Sequence, residues 1–199
     1  MSASEGIANF TATIGAIVPI VALYIAWLGL NTWKAQIRWQ QGRGLAVSLL
    51  QSLGAIRRSI EKLKTFGYPT YDGRKDIAER ERLFEAKSGL VLPELDRLED
   101  AVKAFEHQSA EALILWNNEF SDISSVCWDL QYEAKSACMS GLNAMDPKLR
   151  QHERENHFQD AGDMLQCLRG HKPEGVSATA RVKELESQLL RDLRLLKLA

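Results

Sequence analysis

Apolar and polar positions divide the chain into two regions of different kind. From Gly6 to Trp33, twenty-eight consecutive positions carry no charged side chain, and Ile14 to Leu30 reads IGAIVPIVALYIAWLGL. A helix rises about 1.5 Å per residue, so about 20 residues cross a bilayer core of about 30 Å. The run is long enough to span with some tilt. Beyond Trp33 the pattern changes. Ala35, Trp39, Gly42, Ala46, Leu49, Leu53, Ile56, Ile60 and Leu63 recur at alternating steps of four and three. This heptad stripe predicts a helix that continues past the apolar run and packs along a partner helix, in another chain or in its own bundle. Gly42, Gly44 and Gly54 weaken that helix, each by about 1 kcal/mol relative to Ala. A bend is expected near Gly42–Gly44, where the chain leaves the membrane.

The remaining pattern is helical throughout. FGYPTYDGRK at 66–75 is a loop by its Gly, Pro and Asp content. A short charged helix is expected from Asp76 to Lys87, closed by Ser88-Gly89. Another starts near Pro93, with Leu95, Leu98, Val102 and Phe105 inward. Ser109 is expected to cap a long helix reaching Asn143, with Leu113, Trp116, Phe120, Ile123, Cys127, Leu130, Ala134 and Ala137 as its apolar face. Asp146-Pro147 ends it. Leu149 to Leu168 reads as a polar helix with Phe158, Ala161, Leu165 and Leu168 inward. After a loop at 170–175, Ser177 caps a last helix with Val182, Leu185, Leu189, Leu193 and Leu196 as its stripe. The expected fold is all-α: a transmembrane helix over 1–33, a juxtamembrane heptad helix over 34–64, and a cytoplasmic antiparallel helical bundle over 65–199.

The apolar run reads as an anchor. A secretory signal has a basic start, a short apolar stretch and a small-residue cleavage site. Here the start is MSASEG, the run is longer, and no A-x-A site follows. Lys34, Arg38 and Arg43 follow the run closely, which places the amino terminus outside and the body in the cytoplasm. Tyr24, Trp27, Trp33 and Trp39 suit an aromatic belt at the cytoplasmic interface. Ala8, Ala12 and Ala16 form a small-residue stripe that Ala22, Ala26 and Gly29 continue, and such surfaces let helices approach closely in lipid. Asn9 and Thr13 share a face, and polar side chains in hydrocarbon call for a partner or water. Asn9, Thr13 and Ala16 are therefore candidate pore-lining residues. Ala8, Ala12, Ala22, Ala26 and Gly29 are candidate helix-packing residues. The alternative is a lone anchor kinked at Pro19, with Asn9 and Thr13 at headgroup level.

Charge and cysteine content narrow the body. The chain has 25 basic and 26 acidic side chains, which argues against nucleic-acid binding driven by bulk charge. Cys127, Cys138 and Cys167 are odd in number and lack paired spacing, so they read as reduced cytosolic thiols. No Gly-rich phosphate loop or nucleophile elbow occurs, and no cofactor is expected. His152, Glu153 and His157 do not form a zinc-protease pair, because a five-residue spacing turns the two imidazoles about 140° apart on a helix. Cys167 and His171 lack a second ligand pair. No metal site is expected.

The candidate chemistry lies in Arg150-Gln151-His152-Glu153-Arg154-Glu155-Asn156-His157. Arg150 and His157 are seven apart, on one helical face with Arg154. An Arg followed after a few residues by His is the hallmark of the HEPN superfamily, whose helical dimers bring two such motifs together. There His acts as acid or base near neutral pH and Arg holds a phosphate. The alternative is a solvated charged face. Gln151 stands where the superfamily carries Asn, Asp or His.

The stretch GLNTWKAQIRWQQGRGLAVSLLQSLGAIRRSIEKLK, together with SAEALILWNNEF at 109–120, resembles a bacterial family of small single-pass proteins. These are similar to the membrane-anchored, HEPN-like accessory proteins of type VI-B CRISPR systems. That resemblance implies a ring-shaped homo-oligomer in the inner membrane, forming a pore that strengthens antiphage defence by permeabilising or depolarising the membrane. It implies the chain itself, the bilayer and an RNA-guided nuclease or its RNA signal as partners. By position it makes Arg150 and His157 the HEPN-like pair, in a degenerate, non-cleaving motif. The alternatives are a membrane-tethered HEPN ribonuclease and a passive anchor that recruits a cytosolic partner.

Overall fold

The computed structural model describes residues 3–65, 76–117, 120–169 and 176–195; within these, side chains at 3–20, 164, 165, 167–169 and 195 lie outside the description. The helices are α1 (Ala3–Thr65), α2 (Ile77–Trp116), α3 (Ser121–Asn143), α4 (Gln151–Arg169) and α5 (Ala178–Leu195). No strand occurs among the described residues. The chain divides into two compact units, Met1–Arg43 and Gly44–Ala199.

The first unit is the amino-terminal part of α1. Every side chain from Val21 to Gln36 is exposed. Tyr24 stacks on Trp27 with ring centroids 6.2 Å apart, and the Arg43 guanidinium lies 5.4 Å from the Trp39 ring centroid. Ala22, Ala26 and Gly29 are uncovered, and a Cβ added at Gly29 would meet nothing within 4 Å. Among the described residues no helix is long and apolar enough to cross a membrane. The expectations for Ala8, Asn9, Ala12, Thr13 and Ala16, and for the first half of the apolar run up to Ile20, fall on side chains outside the described residues.

Through Gly42–Gly44, where the sequence predicts a bend, α1 continues as helix to Thr65. Glycine lowers helix propensity but keeps its N–H and adds no clash. Burial of Leu45, Ala46 and Leu49 just beyond fixes the following turns.

In the second unit the heptad stripe is buried from Ala46 to Leu63, and its partners are helices of the same chain. Ser52 Oγ lies 2.9 Å from Gln108 Oε1, and Ser59 Oγ lies 2.8 Å from Glu94 Oε1, so α1 and α2 run antiparallel. Arg57 to Glu186 at 2.6 Å and Lys64 to Thr179 at 2.7 Å make α5 antiparallel to α1. Leu49, Leu53, Ile56 and Ile60 meet Leu98, Val102 and Phe105 from α2, Ile123 and Leu130 from α3, and Val182, Leu189 and Leu193 from α5; all are at most 1% exposed. Each such side chain stabilises the bundle by about 1.5–3 kcal/mol relative to exposure.

Two helix boundaries differ from the sequence expectation. The segments read as separate helices at 76–87 and from Pro93 are one helix, with Pro93 inside it. Pro93 is itself exposed, while buried Val91 and Leu95 and partly buried Phe84 hold both sides of it on the core. Packing therefore overrides the hydrogen bond that proline removes. Asp76 Oδ1 accepts the Ile77 N–H at 2.7 Å at the start of α2. The long helix expected from Ser109 to Asn143 is divided instead. Asn117 takes a left-handed conformation (φ 52°) and closes α2, with its N–H donating to Leu113 O at 2.9 Å. Ser109 lies inside α2, and its Oγ accepts the Phe120 N–H at 3.2 Å, so it caps α3 across a tertiary contact. The expected cap of α5 forms, with Ser177 Oγ accepting the Ala180 N–H at 3.2 Å.

Candidate functional site

The start of α4 carries the cluster singled out in the sequence. Asp146 Oδ1 accepts the Lys148 N–H at 2.8 Å, which shapes the turn after α3. Arg150 sits one residue before α4 and its carbonyl accepts the Arg154 N–H at 3.1 Å. Its own N–H donates to Glu153 Oε2 at 2.8 Å, the reciprocal half of a capping box. Arg150 is thus an N-cap residue, and its side chain is exposed. Gln151 donates to Glu155 Oε1 at 2.9 Å on the outer face.

Arg154 and His157 lie three residues apart on the inner side of the same turns. Arg154 is only 9% exposed, and its Nη1 donates to Leu149 O at 3.0 Å. Its Nε is buried with no hydrogen-bond partner, and no carboxylate pairs with it among the described residues. His157 is half-buried and its Nδ1 is likewise buried without a partner. A buried polar atom left unpaired costs about 1–3 kcal/mol, more when charged. Arg150 and His157 are not joined by a hydrogen bond or ion pair among the described residues.

A second polar cluster was not anticipated from sequence. Glu94 of α2 is 3% exposed, yet it accepts from Ser59 Oγ at 2.8 Å, Arg97 Nη1 at 2.9 Å and Lys62 Nζ at 3.3 Å. Burial pushes its pKa up, but the hydrogen bonds from Ser59, Arg97 and Lys62 outweigh this and hold it below the ordinary carboxylate range. The signal was present: Glu94 falls on the apolar stripe of Val91, Leu95, Leu98 and Val102. An open groove of about 320 Å³ beside it is lined by Ala55, Arg58, Ser59, Lys62, Glu94, Arg97 and Asp100. The carboxylate is already matched by two cations there, which makes the cluster a structural clasp between α1 and α2.

Cys127 and Cys138 are buried thiols whose pKa burial pushes up to about 12 and about 11. Neither is poised as a nucleophile. Among the described residues no three His, Cys, Asp or Glu side chains gather as a metal site. Cys167 and His171 fall outside the described side chains. No family model, curated protein or solved structure matches the chain.

Proposed function

We propose that the chain is a single-pass bacterial inner-membrane protein. Its first helix assembles with copies of itself into a pore, its helical body lies on the cytoplasmic side, and opening depolarises the membrane in antiphage defence. The observation that carries the membrane part is the dressing of α1. Leu23, Tyr24, Ile25, Trp27, Leu28 and Leu30 are 43–71% exposed, around all sides of the helix rather than along one stripe. A soluble helix keeps a polar face, whereas one apolar all round is buried in protein or lipid. Charge supports the orientation: between Glu5 and Glu61 the chain has no acidic residue, while Lys34, Arg38 and Arg43 follow the apolar run. The uncovered Ala22, Ala26 and Gly29 offer a surface for a second helix. The pore, the HEPN-like fold of the body and the role in defence rest on the family resemblance.

Mass photometry of the detergent-solubilised full chain tests this reading. The expected result is one species at a multiple of 22.4 kDa that releases dye from vesicles. A monomer that leaves vesicles intact would rule out the pore.

A second reading is favoured by one observation, the unpaired buried His157 Nδ1 and Arg154 Nε on one face of α4. It makes the body a HEPN-type ribonuclease, with Arg150 and Arg154 holding phosphate and His157 moving the proton. RNA cleavage that disappears in His157→Ala supports it, and cleavage that survives excludes it.

A further inference from the structure

The segment that follows the apolar run carries its cations without counter-charges. Lys34, Arg38 and Arg43 are exposed, and no acidic residue occurs between Glu5 and Glu61. None of the three joins an ion pair among the described residues. In the body, by contrast, Arg57, Arg97 and Arg181 each meet a carboxylate at 2.6–2.9 Å. All three unpaired cations belong to the first unit, Met1–Arg43.

The polar groups of this segment are arranged for a boundary between hydrocarbon and water. The Thr32 hydroxyl donates to Leu28 O at 2.9 Å, so it is satisfied within the helix and needs no water. Further along, the Arg43 guanidinium lies 5.4 Å from the centroid of the Trp39 ring. Helical side chains lean toward the N-terminus, so this contact draws the Arg43 charge back along α1 toward the apolar run. Stacking uses the flat face of a guanidinium and leaves its N–H edge open. That edge fits a phosphate through two parallel hydrogen bonds. Trp33 and Trp39 are 58% and 50% exposed, and indoles settle at headgroup level. Gln36, Trp39 and Arg43 follow at steps of three and four and share one face, while Lys34 and Arg38 share another.

We propose that the Trp39–Arg43 pair is a site for the phosphate of an anionic phospholipid, with Lys34 and Arg38 attracting the same headgroups to the other side of the helix. This rests on the membrane reading above. The indole lies among the glycerol and upper acyl carbons, and the guanidinium meets the phosphate beyond them. A zwitterionic headgroup carries its own ammonium beside the phosphate and competes with Arg43 for it. An anionic headgroup does not, so each cation near the surface enriches anionic lipid about fivefold.

The test uses the full chain in a Cys167→Ser background with a fluorophore at Gln36→Cys, reconstituted in phosphatidylcholine vesicles. A doxyl quencher close to the headgroup is carried either by phosphatidylglycerol or by phosphatidylcholine, at equal mole fraction. Circular dichroism confirms that each variant keeps its helix. Phosphatidylglycerol is expected to quench at least about fivefold more strongly than phosphatidylcholine, and Arg43→Gln to lower that ratio about fivefold. Trp39→Leu keeps the charge, removes the platform and lowers the ratio as well. Equal quenching by the two lipids in the otherwise unaltered chain overturns the site and leaves the membrane reading standing. A ratio that either variant leaves unchanged also overturns the site. Inorganic phosphate that abolishes the preference, where chloride of equal ionic strength does not, assigns the pair to a soluble anion and overturns the lipid. No quenching by either lipid removes the membrane reading and the site with it.

Discussion

Replacing Glu94 with Gln tests whether the buried carboxylate clasps α1 to α2. Its side chain is 4% exposed, whereas Lys62 and Arg97 are 54% and 66% exposed. The two cations return to water when the charge is removed, so each ion pair contributes about 0–1 kcal/mol. Ser59 is 5% exposed and still finds an acceptor in the amide. Its bond falls from the charged range, about 1.5–3 kcal/mol, to the neutral range, about 0.5–1.5 kcal/mol. The expected loss is about 1–3 kcal/mol at pH 7 from these contributions together. For a chain of this size each kcal/mol lowers Tm by about 2–4 °C, so the thermal midpoint of Glu94→Gln falls by about 3–10 °C. The folded-state pKa of Glu94 is lowered. Its contribution is therefore full above the unfolded value, about 4.3, and disappears as pH falls through the lower folded value. Melting followed by circular dichroism in mild detergent, wild type beside Glu94→Gln from pH 8 to pH 3, reads the difference. The gap should be constant above pH 6 and close in acid. No gap at pH 7, or one that persists unchanged below the folded pKa, refutes the clasp.

Four further outcomes are expected. Leu53→Ala, at a position 0% exposed, lowers stability by about 2–5 kcal/mol and is read by the same melting curves. Ser109→Ala removes the acceptor of the Phe120 N–H and costs about 0.5–2 kcal/mol, whereas a Ser109 that merely lay in mid-helix would tolerate Ala without loss. Pro93→Ala restores an N–H inside α2 and raises the melting midpoint, by up to about 3 kcal/mol of stability. Cys127 and Cys138 resist iodoacetamide at pH 8 in the folded chain and react at once in denaturant, because burial raises both pKa values and blocks access.

The parts of the fold legible in sequence were those set by periodicity. The stripe from Ala46 to Leu63 and the α5 stripe from Val182 to Leu193 are buried as their spacing predicts, and Ser177 caps where a Ser before an apolar stripe should. Local punctuation misled where tertiary packing won. Pro93 read as a helix start, yet Val91 and Leu95 hold the chain helical across it. Ser109 read as a local cap, yet it satisfies an N–H eleven residues on. Asn117, which ends α2, lacked the Gly or Pro that marks most breaks, because Asn reaches the left-handed region by itself. In the candidate site, helical spacing brought Arg154 and His157 together. It could not show that Arg150 stands at the N-cap or that Arg154 is buried without a counter-ion among the described residues, since both depend on where α4 begins and what packs on it.

The central claim is that the first helix of the chain is held in lipid. Alkaline carbonate washing of membranes from cells making the full chain tests it most directly, because high pH strips peripheral proteins and leaves spanning ones. The wild type should stay in the membrane pellet, and Ala22→Arg combined with Ala26→Arg should shift it to the supernatant. Wild-type chain released into the wash as completely as the double variant would contradict the account.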